Sequence, residues 1–343
     1  MNVPAAQVLS EEPLAEPAEN DRAVDLVFTW VDADDAAWQR SKRAWMQRGG
    51  LEVPDADERC GDHTRYDNMR EIVYAVSSAR RFAPWLRTIY VVVADGQQVP
   101  PALANDVTVV HHSTIMPAEI LPTFCSNSIE AFLHLIPGLS DVFLYANDDF
   151  LFWKPTPKEF FVDGDELRLR GRFLSRAMAR IGNLWRGHMR IATRTASLLY
   201  ATGLAAAYLP EHSIHVMRRS TCAHAWEVLG PQLAVAVSQR FRDENRSLFW
   251  QLLVYSLENV WHAPRRTLSL NRNVISFDAV ERSLFARCVA LVHLMLLARF
   301  PPHTACFNTI PRSWHDAMHR YFTSHLEPAP LELPDAAPRR SAR

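Results

Sequence analysis

Short apolar runs that alternate with segments of helical periodicity fill the first half of the chain, and they restrict its fold more than any other feature. The runs are VDLVFTWV (24–31), TIYVVV (88–93), VTVV (107–110) and VFLYA (142–146). Residues 67–82 and 126–136 lie between them with apolar residues at helical spacing, and their predicted N-caps are Asp67 and either Ser126 or Asn127. This alternation predicts an α/β fold, Rossmann-like, with a mostly parallel sheet.

Polar residues follow each of the four apolar runs. They are Asp32 after the first, Asp95 and Gln97 after the second, His111 and His112 after the third, and Asn147, Asp148 and Asp149 after the fourth. Parallel strands place their carboxyl ends at one edge of the sheet, where open α/β sheets bind ligands. We therefore expect these side chains to meet in one crevice. Asp and Asn are also common in turns, and for the Asn147–Asp149 segment alone a turn is the favoured interpretation.

The alternative interpretation of the adjacent Asp148 and Asp149 carboxylates is a site for Mg²⁺ or Mn²⁺. These ions prefer oxygen ligands and often bridge a carboxylate to a substrate phosphate, and a bound cation would remove the repulsion between the two charges. Asp32 is predicted to be a metal-linked or general-base carboxylate. Asp34 is assigned to the N-cap of the helix that follows, and Asp35 stays open between the two roles.

Two basic segments in the second half are candidates for phosphate chemistry. EHSIHVMRRS (211–220) carries His212 and His215, spaced as on one face of a helix, and then Arg218. Histidine transfers protons near neutral pH, and arginine binds phosphate through two hydrogen bonds; a solvated basic segment fits these residues equally well. SQRFRDENRS (238–247) contains Arg240 and Arg242. A surface ion-pair network is the more common interpretation of such a run, and a phosphate clamp is the rarer one.

The domain prediction places an α/β core at 23–164, a helical lobe that completes the site at 165–327, and disordered tails at 1–22 and 328–343. Helices of the lobe are predicted near 172–200, 222–238, 245–258 and 279–299. The apolar stretch CVALVHLMLLARF (288–300) is shorter than the roughly 20 residues that cross a bilayer. A buried helix is favoured there over an interfacial one.

Composition excludes several classes of protein. The chain has 343 residues with a formal net charge of -1, which does not indicate a nucleic-acid partner. Its five scattered cysteines form no CxxC, so neither a disulfide framework nor a zinc site is predicted and a reducing compartment fits best. The amino terminus lacks signal-peptide features, which favours a cytoplasmic location. GxxxxGK[ST], GxGxxG, HExxH and GxSxG motifs are absent, which argues against the corresponding nucleotide-binding and hydrolase classes.

Longer segments carry a family resemblance. DLVFTWVDADD, RTIYVVVADGQQVP and LPTFCSNSIEAFLHLIPGLSDVFLYANDDFLF resemble, in order and spacing, conserved regions of the Stealth family of sugar-phosphate transferases. HSIHVMRRS with RFRDENRSLFWQLLVY resembles the third region, and ACFNTIPRS with YFTSHLEPAPLE resembles the fourth. The resemblance covers about residues 24–332.

The resemblance implies a glycosyltransferase-A-like sheet and the transfer of a sugar-1-phosphate from a UDP-sugar, typically a UDP-N-acetylhexosamine, to an acceptor sugar hydroxyl. The reaction would release UMP during capsule or exopolysaccharide synthesis, with peripheral association with a membrane export machinery. Alternatives are a metal-dependent glycosyltransferase and a catalytically silent sugar-nucleotide-binding homologue. The predicted metal ligands for Mg²⁺ or Mn²⁺ are Asp148 and Asp149, and the predicted catalytic residues are Asp32, His212 and Arg242. The predicted substrate-binding residues are Asp95, Gln97, Asn127, Asn147, His215, Arg218 and Arg240.

The chain departs from the family pattern at five positions. The resemblance leads us to expect Asn where the chain has Cys125, Arg at Val73 and Ser77, Gly at Ala33, and Asp at Thr309. The last departure removes a carboxylate from the fourth region.

Overall fold

A five-stranded, mostly parallel sheet forms the centre of the fold. The computed structural model describes residues 23–49, 69–268, 273–277, 280 and 283–326. The predicted tails, the Asp67 cap and Cys60 lie outside the described residues. The strands are β1 (Val24–Thr29), β2 (Ile89–Val93), β3 (Thr108–His111), β4 (Val142–Asn147), β5 (Phe150–Phe152), β6 (Val162–Asp163), β7 (Glu166–Leu174), β8 (Ala207–Pro210), β9 (His215–Arg218), β10 (Arg265–Leu268), β11 (Val274–Ser276) and β12 (Thr304–Asn308).

Helices cover the faces and ends of this sheet. They are α1 (Ala36–Arg48), α2 (Glu71–Phe82), α3 (His112–Ile115), α4 (Ser126–Glu130), α5 (Arg176–Arg180), α6 (Gly187–Ala201), α7 (Arg219–Val237), α8 (Trp250–Trp261), α9 (Leu284–Arg299) and α10 (His315–Leu326). Short 3-10 turns connect several of them.

The strand order of the central sheet is β3-β2-β1-β4-β9. β1 pairs in parallel with β2 and with β4, β2 pairs in parallel with β3, and only β9 runs antiparallel, against β4. Every residue of β1 and β2 is buried, as expected for continuous apolar strands that are covered on both faces. The predicted α/β class with a mostly parallel sheet is therefore confirmed.

Two smaller sheets attach the second half of the chain to the first. In one, β7 is flanked by β10 and β6 and also pairs with β8; in the other, β12 lies between β11 and β5. Because β9 joins the central sheet and β12 pairs antiparallel with β5, strands from beyond residue 164 complete sheets that begin before it. The predicted division at that residue stays a prediction.

Two helix predictions and one N-cap prediction need correction. The segment predicted as a helix from 172 begins as the end of strand β7, and helices follow only at Arg176 and Gly187. Helix α4 ends at Glu130, a 3-10 turn covers Leu133–Leu135, and the N-cap is Cys125 without a side-chain hydrogen bond.

Helix α9 also differs from its prediction, because most of it is exposed rather than buried. Only Ala290 and Leu297 are buried, whereas Leu284, Phe285, Leu291, Val292, Met295 and Leu296 are between 48% and 78% exposed. The helix carries apolar side chains on all its sides, but the rest of the protein packs against only one of them. In the described part of the chain, no helix is long and apolar enough to cross a membrane.

Candidate active site at the carboxyl edge of the sheet

The strand register brings the predicted polar groups to one edge of the central sheet. Thr29, the last residue of β1, is paired with Val92 on one side and with Asn147 on the other. Val93 at the end of β2 is paired with His111 at the end of β3. β1 lies between β2 and β4, so the segments that follow these strands leave the sheet side by side at the point where strand order reverses. In open α/β sheets this crevice binds ligands.

The segment after β1 is fixed by Gln97, which follows β2. The Gln97 side chain accepts a hydrogen bond from the Asp32 backbone N–H (3.1 Å) and donates to the Asp32 carbonyl oxygen (2.8 Å) and to Asp35 Oδ2 (3.4 Å). Only 3% of Gln97 is exposed. Asp32 Oδ1 accepts from the Asp34 N–H at 3.0 Å. Gln97 therefore holds the Asp32 turn in place.

Asp35, and not Asp34, caps helix α1. Its Oδ1 accepts hydrogen bonds from the N–H groups of Ala37 (2.7 Å) and Trp38 (3.3 Å). Burial raises the pKa of Asp35, but these hydrogen bonds and the one from Gln97 outweigh it, and the pKa is lowered overall. The assignment of the cap to Asp34 was wrong by one residue, since both residues are Asp and only the geometry of the turn distinguishes them.

Asp95 and Asn127 lie in different settings. Asp95 Oδ1 accepts a hydrogen bond from the Ser113 N–H (3.1 Å) and one from the Ser113 hydroxyl, which ties the β2 turn to helix α3. Asn127 lines a small cavity with Leu233, Val237 and neighbouring apolar side chains. Its Oδ1 is buried without a hydrogen-bond partner among the described residues.

A buried network around Tyr145 connects Asn147 to Arg242. The Tyr145 hydroxyl lies 2.7 Å from Asn147 Oδ1, 3.1 Å from Glu130 Oε1 and 3.1 Å from Thr29 Oγ1. Burial raises the pKa of Glu130, and the charge of Arg242 opposes this shift. Arg242 in turn donates to Ser126 Oγ at 2.6 Å. The arginine of the 238–247 segment is thus positioned beside β4 and helix α4.

Three carboxylates come together next to this network. Burial first, and then the charges of Glu71 and Asp149, raise the pKa of Asp148 well above its usual range. Glu71 is the first residue of helix α2, and its Oε2 accepts a hydrogen bond from the Met69 N–H at 3.0 Å. Like charges in proximity disfavour one another, so the cluster is suited to a cation.

Asp149 also lies in a cluster of three different side chains: a carboxylate, an imidazole and a thiol. One ligand atom from each of Asp149, His212 and Cys306 lies within 4.8 Å of the other two, as in a metal site. His212 lies in the connection between β8 and β9, and Cys306 is on β12. The His212 ring packs edge-to-face on Phe150, with centroids 5.0 Å apart.

His215 is close to His212 but is not on a helix with it. His215 begins strand β9 and pairs with Tyr145, whose ring is stacked on the imidazole. Burial, followed by the charges of His212 and His188, lowers the pKa of His215 to about 3. His215 is therefore a neutral group that packs behind the site.

Two predicted arginines lie elsewhere. Arg218 is paired with Val142, the first residue of β4, and so lies at the opposite edge of the sheet, bonded to Asp141 and Glu258. Arg240 donates to the carbonyl oxygens of Pro122 (2.9 Å) and Glu119 (3.2 Å) and lies over the Trp45 ring. Neither is among the groups gathered around Asp149.

Sequence reasoning missed Glu71, Glu130 and Cys306. Glu71 and Glu130 belong to EIVYAVSS and SNSIEAF, segments that take part in the family resemblance, and that signal could have found them. Cys306 gave no such signal, because a single cysteine in an apolar strand is ordinarily a core residue.

The protein therefore has an α/β fold. Its carboxylates come together at the switch point of a mostly parallel sheet. Residues 22–50 match conserved region 1 of Stealth proteins, and residues 65–169 match conserved region 2. The Stealth resemblance drawn from the sequence is thereby confirmed over these two regions, while the third and fourth regions remain predictions.

Curated relatives are capsular and exopolysaccharide phosphotransferases. The capsular polysaccharide phosphotransferase fcs1 of Haemophilus influenzae is 31% identical over 233 residues, which are 65% of this chain and 61% of that protein. An exopolysaccharide phosphotransferase of Streptomyces coelicolor is 41% identical over 152 residues, 42% of this chain and 24% of that protein. The matched region thus spans less than two thirds of these relatives.

Two solved glycosyltransferase structures are among the structures that the chain matches at low identity. The galactosyltransferase LgtC, in complex with donor and acceptor sugar analogues, is 11% identical with a TM-score of 0.43, over 90% of this chain and 98% of that chain. The glycosyltransferase GlyE of Streptococcus pneumoniae is 11% identical with a TM-score of 0.40, over 89% of this chain and 62% of that chain. The fold class itself rests on the strand order and directions described above.

Proposed function

We propose that the protein transfers a sugar-1-phosphate, from a UDP-N-acetylhexosamine, to a hydroxyl group of an acceptor sugar. The products would be a phosphodiester and UMP, and the pathway would be capsule or exopolysaccharide synthesis in the cytoplasm. The observation that carries this proposal is the meeting of Asp148, Asp149 and Glu71 at the switch point of the sheet, within a chain that is similar to polysaccharide phosphotransferases.

The carboxylates fit the predicted Mg²⁺ or Mn²⁺. Asp148 and Asp149, with Glu71, supply the oxygen donors that these ions prefer. Burial, and then the charges of Glu71 and Asp149, raise the pKa of Asp148. A bound ion would neutralise the diphosphate and the charge of the transferred phosphoryl group.

The other residues have roles that follow from their positions. Asp32, held at the end of β1 by Gln97, is proposed to orient and deprotonate the acceptor hydroxyl. Arg242, anchored to Ser126, is proposed to neutralise phosphoryl charge. His212 is assigned to the metal end of the site by its proximity to Asp149, and Asp95, Gln97, Asn127 and Asn147 to the substrate crevice.

The nucleotide that is released tests the reaction. The purified chain is incubated with Mg²⁺, a panel of UDP-sugars and acceptor glycans, and the nucleotide product is identified by chromatography. UMP is the expected product, and UDP would instead establish glycosyl transfer. Binding of UDP-sugars without either product across the panel would favour a catalytically silent homologue.

A matched pair of variants connects the reaction to the site. We expect Asp149→Asn to lower turnover by at least about 100-fold, the scale seen when one charge-stabilising group is removed. Asp163→Asn makes the same chemical change at a surface residue that is paired with Arg168 and Arg265, and it should keep normal turnover. Equal rates for Asp149→Asn and the unaltered protein would remove Asp149 from the site.

We also propose that helix α9 attaches the protein to the surface of an anionic membrane. From Ser283 to Pro302 the chain has no acidic residue, and the cations Arg287 and Arg299 lie near the two ends of the helix. Phe285 and Met295 are 78% and 71% exposed. The 16-residue helix is about 24 Å long, too short to span a bilayer, and an exposed apolar helix with only positive charges is suited to lie in the interface.

Co-sedimentation with vesicles tests this attachment. The protein should bind vesicles that contain phosphatidylserine and bind phosphatidylcholine vesicles less. Replacing both Phe285 and Met295 with serine should abolish binding, whereas Leu184→Ser, at a residue that is 80% exposed on another element, should not. Absence of vesicle binding, or concentration-dependent dimers that the double variant abolishes, would overturn the proposal.

A further inference from the structure

Asp149, His212 and Cys306 form a compact group of three different metal-binding side chains. Their ligand atoms all lie within 4.8 Å of one another, and Cys306 Sγ is 3.4 Å from Asp149 Oδ2. The three residues come from separate parts of the chain: the turn after β4, the connection between β8 and β9, and strand β12. Such convergence is not explained by the local sequence of any one of them.

The backbone around these side chains is held by several hydrogen bonds. Cys306 is paired with Phe150 across the β12–β5 ladder, and the Phe307 N–H donates to the Asp149 carbonyl oxygen at 3.0 Å. Buried Asn273 connects the other two residues, because its carbonyl oxygen accepts from the Cys306 N–H (2.9 Å) and its side chain donates to the His212 carbonyl oxygen (3.4 Å). These hydrogen bonds hold the backbone of the three donor residues in place, which favours binding.

The donor set identifies the kind of ion. Magnesium takes oxygen ligands, whereas thiolate and imidazole select softer ions, of which zinc is the common one in proteins. We propose that Asp149, His212 and Cys306 bind Zn²⁺ in preference to Mg²⁺. Three protein ligands with a fourth position open is the arrangement of reactive rather than purely structural zinc sites.

Proton balance accompanies this binding. The Cys306 thiol donates a hydrogen bond to the Asp149 carboxylate. When Zn²⁺ binds, the sulfur loses its proton to solvent and forms the Zn–S bond, so one proton is released for each ion at this ligand.

The fourth region supports a mixed rather than an all-oxygen site. At position 309, where the resemblance leads us to expect a carboxylate, the Thr309 hydroxyl donates to Asn308 Oδ1 at 3.1 Å. On strand β12 itself, the metal-binding side chain close to Asp149 is the thiol of Cys306. The zinc position would share Asp149 with the proposed Mg²⁺ position.

Cobalt provides a spectroscopic probe of this site in the full chain, with no nucleotide present. We expect one Co²⁺ to bind per chain with a near-ultraviolet sulfur-to-cobalt charge-transfer band, which Zn²⁺ abolishes and excess Mg²⁺ does not. Cys306→Ser should remove the band. Cys125→Ser, at a buried cysteine elsewhere, and Cys288→Ser, at an exposed one, should keep it.

Three results would overturn the proposal: no charge-transfer band, a band that persists in Cys306→Ser, or displacement of Co²⁺ by Mg²⁺. If Cys306→Ser does not fold, zinc-edge X-ray absorption of the unaltered, zinc-loaded protein decides, since sulfur must be among the ligands. These measurements need no turnover, so a failure here is distinguishable from a failure of the UMP assay.

Discussion

Buried carboxylates have opposite kinds of neighbour at the two edges of the central sheet, the amino edge where the parallel strands begin and the carboxyl edge where they end. At the amino edge, Asp25 is fully buried, and its carboxylate accepts hydrogen bonds from Arg87, from the Thr88 N–H (3.1 Å) and from the Ser140 N–H (2.8 Å). At the carboxyl edge, Asp148 faces two further carboxylates, and its pKa is raised.

Arg218 and Arg242 also lie at opposite edges, and each has an acidic group nearby. Arg218 at the amino edge is paired with Asp141 and Glu258, and its side chain is 12% exposed. Arg242 lies beside the Tyr145 network, where Glu130 has a raised pKa. A buried carboxyl group beside further carboxylates has a perturbed pKa, and groups of this kind cluster at functional sites. We therefore expect the carboxyl edge to be the functional one.

Replacing Asp with Asn at each edge is expected to give the largest difference in the free energy of unfolding. Asp25→Asn should lower the free energy of unfolding by about 3–5 kcal/mol, because it leaves Arg87 and two N–H groups without a carboxylate. Asp148→Asn replaces a carboxyl group whose charged form is disfavoured by burial and by two neighbouring carboxylates, and it should leave stability unchanged or raise it by about 1 kcal/mol. Urea unfolding at pH 7 without divalent ions measures both. Equal losses in the two variants would contradict the contrast between the edges.

His112, at the carboxyl edge, is expected to contribute to the loss of stability at low pH. Burial lowers the pKa of His112 to about 4, although the charge of Asp95 opposes this shift. The unfolded chain takes up the proton near pH 6.5, so the stability from a neutral His112 is complete above that pH and is lost as pH falls toward 4. His112→Gln should therefore reduce acid destabilisation between pH 7 and pH 4.5 by at most about 3 kcal/mol.

Unfolding midpoints in urea at pH 7 and pH 4.5 measure this difference for both proteins. His224→Gln is the control, since His224 is exposed and pairs with Glu227 on the surface. An identical pH dependence of His112→Gln and the unaltered protein would show that His112 is not the group responsible.

The carboxyl edge could be predicted from the sequence because it depends on local patterns. Strands β1, β2 and β4 are continuous apolar runs, and the polar residues after them converge once the strands are parallel. The direction of β9 could not be predicted in this way. Its short sequence is compatible with a helix or a strand of either direction, yet the antiparallel pairing is what moves Arg218 to the amino edge and leaves His215 at the carboxyl edge.

The cluster of Asp149, His212 and Cys306 could not be predicted from the sequence either. Cys306 and Asp149 are 157 residues apart, and their contact depends on the β12–β5 ladder, which no local periodicity specifies. The scattered cysteines predicted no zinc site because ligand spacing was the only criterion that could be applied. Only tertiary structure places a thiol, an imidazole and a carboxylate together.

The smallest expected effect concerns the backbone conformation of Thr309. Thr309 follows β12 with φ of 62°, a left-handed conformation that is unfavourable for a β-branched residue. Such strain is found where function requires a particular geometry. Thr309→Gly should relieve it and raise the free energy of unfolding by about 1 kcal/mol, even after the greater entropy of glycine in the unfolded chain. Thr304→Gly, within the same strand at a buried position, should instead lower stability. If Thr309→Gly also lowers stability, the conformation of Thr309 is not strained, and its hydrogen bond to Asn308 is what holds the end of β12.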